Sequence, residues 1–168
     1  MPTKLKFGKQ FESEFFGNRW FGRRHREFVQ YHIALERVKL QQHLLQWNPL
    51  CPDTQLSSEF FSLVRNNLST HYSDGALKFF VALGSSLDLH FGVDCFFELR
   101  GKAVVTIDLT TRYWKPRKRI ELAPDVVLTQ DDILSGHLPE QAMKIADILQ
   151  KKMWINRDYL FSKTHIVS

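Results

Sequence analysis

Residues 87–111 read LDLHFGVDCFFELRGKAVVTIDLTT. Leu87, Leu89, Phe91, Val93, Cys95, Phe97 and Leu99 fall on every second position, with Asp88, His90, Gly92, Asp94, Phe96 and Glu98 between them. Successive side chains of an extended chain point to opposite faces, so this alternation predicts a strand over 87–99. Arg100-Gly101-Lys102 predicts a hairpin turn, and residues 103–111 a return strand. On that strand Val105, Ile107 and Leu109 share one face, and Val104, Thr106, Asp108 and Thr110 share the other. A three-residue turn sets Asp94 directly opposite Asp108, and a two-residue turn leaves them diagonal and still close.

Upstream, residues 77–83 predict a further strand, closed by a turn at Gly84-Ser85-Ser86. Residues 24–46 contain neither Gly nor Pro. Phe28, Tyr31, Leu35, Val38 and Leu45 recur there at helical spacing, predicting a long amphipathic helix that Asn48-Pro49 and Pro52 end. Phe60, Phe61, Val64 and Leu68 predict a second helix over 57–69, and Ser73-Asp74-Gly75 a turn. Residues 1–22 read as a basic, aromatic N-terminal arm with at most a helical turn near 10–16, and residues 23–168 as one domain.

Downstream, 112–122 is basic and interrupted by Pro116. A short buried strand is predicted over 125–129 and a helical turn over 131–134. A last helix opens at Pro139, with Ala142, Ile145, Ala146 and Leu149 as its apolar stripe. Helices, a three-strand meander, a fourth strand and a helix predict an α/β sheet flanked by helices.

Charge is unevenly distributed. The net formal charge is +5. Residues 1–30 carry Lys4, Lys6, Lys9, Arg19, Arg23, Arg24 and Arg26 against three Glu, and residues 112–119 carry Arg112, Lys115, Arg117, Lys118 and Arg119 with no acid. Clustered positive charge interleaved with aromatics suits a nucleic-acid backbone, while one such cluster alone also fits a solvated face. Trp20, Phe21 and His25 either stack on bases or anchor the arm on the core. Only two cysteines occur, Cys51 and Cys95, which leaves no zinc or disulfide framework. No apolar run suggests a secretory leader or a membrane span, so a cytoplasmic address is expected.

Two aspartates facing each other across a hairpin repel, and aspartate is depleted in strands. A bound cation removes the repulsion, and hard oxygen donors suit Mg²⁺ or Mn²⁺. The plainer reading is a solvent-facing side of an antiparallel sheet, where acids are ordinary. His90 and Asp88 read as surface residues, Glu98 as a partner of Arg100 or Lys102, and Asp125 as a cap or a partner of local basic residues.

The run from Gly92 to Thr110 resembles the active-site hairpin of the PD-(D/E)xK, or restriction endonuclease-like, nuclease superfamily. Asp94 matches its first acid and Asp108 its second. The resemblance implies a central mixed sheet with an antiparallel three-strand meander flanked by helices. It also implies Mg²⁺ or Mn²⁺ held by Asp94 and Asp108, with Glu36 or Glu27 as a further acid from the preceding helix. The family's lysine position holds Thr110, which carries no positive charge and is no base near neutrality. Lys102, Lys115 and Lys118 are the candidates to replace it.

The function expected from the resemblance is a metal-dependent nuclease acting on DNA ahead of RNA, weakened at Thr110. The partner set is nucleic acid without a membrane, and a homodimer or larger complex is compatible with it. The alternatives are a catalytically inactive nucleic-acid-binding or protein-interaction module on the same fold, and an unrelated helix-plus-sheet domain whose concave face binds a small molecule or protein. No Ser-His-Asp spacing and no glycine-rich phosphate loop occurs.

Overall fold

A computed structural model describes residues 4–72, 75–111 and 124–164. In chain order it contains α1 (Lys4–Phe16), α2 (Tyr31–Leu40), α3 (Gln55–Asn67), β1 (Leu77–Val81), α4 (Ser86–Phe91), β2 (Cys95–Leu99), β3 (Ala103–Thr110), β4 (Val126–Thr129), α5 (Gln130–Leu134) and α6 (Leu138–Thr164). Short 3-10 turns occur at Arg23–His25, Gln42–Leu45 and Thr70–Tyr72. The expected turn residues Ser73 and Asp74 and the basic segment 112–123 lie outside the described residues.

The four strands form one sheet in the order β1-β2-β3-β4. β1, β2 and β3 are an antiparallel meander, and β4 runs parallel to β3. This is an open mixed α/β sheet with helices packed on it. The hairpin register is the one a three-residue turn requires: Cys95 faces Ile107 and Leu99 faces Ala103. Arg100 and Gly101 both take left-handed backbone at the turn, with φ of 53° and 68°.

That register sorts the sheet into two chemically different faces. Leu77, Phe79, Val81, Cys95, Phe97, Leu99, Val105, Ile107, Leu109, Val126 and Leu128 point one way and are all buried. Phe60 of α3 packs edge-on to both Phe79 and Phe97, which stack with centroids 4.3 Å apart. α6 packs against α3 and β3, burying Ala142, Ile145, Ala146 and Leu149 as its stripe predicts. The opposite face carries Lys78, Phe80, Phe96, Glu98, Thr106, Asp108 and Thr110. Helix α2 covers part of it, with Lys39 reaching Glu98.

Three expectations change. Residues 4–16 form more than the helical turn expected near 10–16: α1 drives Phe11, Phe15 and Phe16 into the core. Phe15 meets Phe60 edge-on, so apolar burial overrides the low helix signal of a glycine-containing segment. The long helix over 24–46 is broken into a 3-10 turn, α2 and a second 3-10 turn. Gln42 leaves helical register because its side chain is taken by β1, donating to the Val81 carbonyl and accepting from the Val81 N–H. Trp47 donates to the Phe79 carbonyl and the Pro49 carbonyl accepts from the Phe79 N–H, so this segment closes the exposed edge of β1.

The third change matters most for the site. The strand expected over 87–99 begins only at Cys95, and Ser86–Phe91 is helix. The Ser85 hydroxyl caps α4 by accepting from the Asp88 N–H, and Gly92 ends it in left-handed backbone at φ 68°. Leu87 is core, but Leu89 is 59 % exposed, so the alternation before Cys95 is a coincidence of composition.

Candidate metal and nucleic-acid site

Asp94 is the residue just before β2. Its N–H donates to the Ile107 carbonyl and its carbonyl accepts from the Ala82 N–H, locking it across the meander. The β2–β3 ladder ends at Cys95 and Ile107, and beyond it Asp108 lies close enough for its charge to act on Asp94. Both carboxylates are buried, at 5 % and 7 % exposure. Asp94 Oδ2 accepts a 2.7 Å hydrogen bond from the Leu109 N–H, which fixes the carboxyl group's orientation.

A third acid arrives by way of α4. Asp88 hydrogen-bonds the Asp94 side chain, and its Oδ2 accepts from the Gly84 N–H at 2.8 Å. Burial, together with the charges of Asp88 and Asp108, pushes the Asp94 pKa well above the usual aspartate range, against the lowering pull of the Leu109 N–H. Two carboxyl groups within hydrogen-bond reach favour holding a proton between them, which is the direction of the Asp94 shift. The surface position expected for Asp88 is therefore corrected: a capped helix rather than a strand turns it inward. The signal was present in Ser85 followed three residues later by Asp88, with Gly92 beyond.

Glu36 is not brought to this pair. It binds Lys39 at 2.7 Å, and Lys39 also binds Glu98 at 2.6 Å. Burial works to lower the Lys39 pKa, but the hydrogen bonds and charges of Glu36 and Glu98 outweigh it and raise it. Arg100, one of the two partners expected for Glu98, instead donates to the His71 carbonyl and lies over the Tyr72 ring. Glu27 is exposed and lines a separate cavity. Among the described residues no three His, Cys, Asp or Glu side chains converge to hold a metal ion. An octahedral Mg²⁺ does not require three, because it commonly keeps several waters and takes one or two carboxylates plus phosphate oxygens. Asp94 and Asp108, supported by Asp88, fit that donor set.

Thr110 is buried on the Asp108 face, level with Thr129 of β4. Lys102 lies in the hairpin turn, six residues before Asp108, so about 20 Å away at roughly 3.3 Å per residue. That distance removes it as a replacement for the missing lysine. Lys115 and Lys118, with Arg112, Arg117 and Arg119, lie outside the described residues.

The basic arm crosses beside the acids. Phe21 is buried, and its N–H donates to the Leu83 carbonyl. His25 packs against the Phe21 ring, whereas Trp20 is 59 % exposed. The two readings of the aromatics thus divide: Phe21 anchors the arm, and Trp20 is left facing solvent. Arg19 is taken up by Asp53 in a two-pronged ion pair at 2.8 and 2.7 Å and by the Leu45 and Phe16 carbonyls. Arg23, Arg24 and Arg26 are exposed. A cavity of about 350 Å³ is lined by Glu12, Arg19, Trp20, Arg26, Gly84 and Asp88, so Asp88 links this hollow to Asp94.

Other residues fall out as structural. His90 is exposed and contacts the Arg26 carbonyl through Nε2. Asp125 pairs with Lys152 and with the Thr106 N–H and hydroxyl. Cys95 is fully buried and its thiol pKa is pushed up by burial and by Asp94 and Asp108. No helix among the described residues is long and apolar enough to cross a membrane. Comparison with protein-family models, characterised proteins and solved structures finds no match to this chain.

Proposed function

We propose that the chain is a divalent-metal-dependent, restriction endonuclease-like domain that acts on the phosphodiester backbone of DNA, with activity attenuated at Thr110. The observation that carries this reading is the convergence of Asp94 and Asp108 from adjacent strands, buried together and joined by Asp88. An antiparallel meander followed by a parallel fourth strand also agrees with the family the hairpin resembles.

Asp94 and Asp108 would hold Mg²⁺ or Mn²⁺, which when bound supplies an acidified water and neutralises phosphate oxygens. Leu109 N–H holds the Asp94 carboxylate in one orientation. The Asp88–Asp94 proton must leave before both carboxylates can act as ligands, so metal affinity rises with pH. Arg23, Arg24 and Arg26 supply charge for the phosphate backbone without reading bases. Thr110 offers a hydroxyl but no cation, so it cannot stabilise developing phosphate charge as a lysine would.

A second reading, a nucleic-acid-binding module without hydrolysis, is favoured by that same Thr110. Nicking of supercoiled plasmid separates the two. The hydrolase reading expects nicking with Mg²⁺ or Mn²⁺, none in EDTA, and a loss of about a hundredfold or more in Asp94→Ala and Asp108→Ala. Retained DNA binding with no metal-dependent nicking selects the binding module. Nicking that survives both substitutions overturns the assignment of the acids.

A further inference from the structure

On the other flank of the Ser85-Ser86 turn lies a second cavity, of about 210 Å³, lined by Arg24, His25, Glu27, Arg37, Ser85 and Ser86. At about 30 Å³ per water it has room for a phosphoryl group and several waters. Arg24 comes from the 3-10 turn Arg23–His25, Arg37 from α2 and Ser86 from the start of α4. Three separate elements therefore converge on one hollow that contains neither Asp94 nor Asp108.

Its chemistry is that of an oxyanion site. Two guanidinium groups face one carboxylate, so the lining is net positive even with a neutral imidazole. Among the described residues neither Arg24 nor Arg37 has an ion-pair partner. Ser86 is 6 % exposed, and among the described residues its hydroxyl has no hydrogen-bond partner. A buried hydroxyl without a partner is rare because desolvating it is costly, and a ligand that accepts from it removes the cost. Arginine forks match tetrahedral phosphate oxygens, with which they form paired, charge-assisted hydrogen bonds.

We propose that this cavity binds a phosphoryl group, with Arg24 and Arg37 clamping its oxygens and the Ser86 hydroxyl, sealed from solvent in the free protein, rotating about its χ1 bond to donate to one of them. The proposal goes beyond the metal reading and does not depend on it. The two sites meet only through α4, which carries Ser86 at its first position and Asp88 in the same turn.

The test uses the full chain in EDTA, so that the metal plays no part. Inorganic phosphate is titrated while the side-chain N–H signals of Arg24 and Arg37 are followed by NMR. Acetate serves as the control anion. Saturable shifts with phosphate and none with acetate are expected. Arg24→Gln with Arg37→Gln abolishes them, and Ser86→Ala weakens binding about tenfold, the loss of one hydrogen bond to a charged acceptor. Ser86→Ala also keeps or raises the melting temperature, because it removes a buried donor that the free protein leaves unmatched. Asp108→Asn binds phosphate as the parent does, which separates failure here from failure of the metal site. Short oligonucleotides then distinguish the source. Tighter binding with a 5′-phosphate than a 5′-hydroxyl assigns a strand terminus, equal binding assigns an internal phosphate, and binding of inorganic phosphate alone assigns a small phosphorylated molecule. No saturable shift, equal competition by acetate, or a Ser86→Ala variant that binds as the parent does would overturn the proposal.

Discussion

A carboxyl group as buried as that of Asp94, hydrogen-bonded to Asp88 and facing Asp108, ionises against its surroundings. The consequence for stability has a definite sign. The folded state holds the Asp94 proton at a pH where the unfolded chain has already released it. Stability without divalent ions is therefore greatest below the ordinary aspartate pKa. It falls as pH rises from there to the raised pKa of Asp94 and levels off beyond it. Denaturant melts in EDTA across that range should show the decline, and Asp94→Asn should flatten it. Added Mn²⁺ should restore stability most at the high-pH end, where the proton no longer competes. A second residue-scale test concerns Lys39. Its removal as Lys39→Ala strands Glu98 in a buried position and should cost about 3 kcal/mol in urea melts.

Helix α4 decides what the acids can do, since it turns Asp88 from the surface toward Asp94. Ser85→Ala removes its cap and should destabilise the protein by about 1 kcal/mol, while the pH dependence of stability shrinks as Asp88 loosens. Gly84 holds the arm against this helix. A Cβ there would stand 2.5 Å from the Phe21 carbonyl, on backbone at φ 76°. Gly84→Ala should therefore cost about 2 kcal/mol or more by thermal melting and weaken DNA binding as the arm lifts. The hairpin from Cys95 to Thr110 is legible in sequence because its period-two pattern and turn chemistry agree. Helix α4 just upstream is not, because Leu87, Leu89 and Phe91 imitate that period while Ser85, Asp88 and Gly92 carry the helix signal. Gln42 shows the other limit: its break from helical spacing depends on Val81, a partner 39 positions away.

At the scale of the whole molecule, one sheet separates two tasks. Its apolar face, centred on the Phe79–Phe97 stack with Phe60 against both, supplies the stability. Phe97→Ala should cost about 3 to 5 kcal/mol without altering metal or phosphate binding in the fraction that stays folded. The polar face, partly roofed by α2, carries the acids, and the arm sets arginines along its margin. The basic character of the chain was legible from composition, but the division of labour within the arm was not. Arg19 is committed to Asp53 and Phe21 to the core, leaving Trp20, Arg24 and Arg26 at the two cavities. Isothermal titration with Mn²⁺ at pH 8, comparing the parent chain with Asp94→Asn and Asp108→Asn, bears most directly on the two facing aspartates. Saturable binding of at least one ion in the parent, lost in both variants while their folds persist, is the predicted result. An absence of binding in the parent, or binding unchanged by either substitution, would contradict the account.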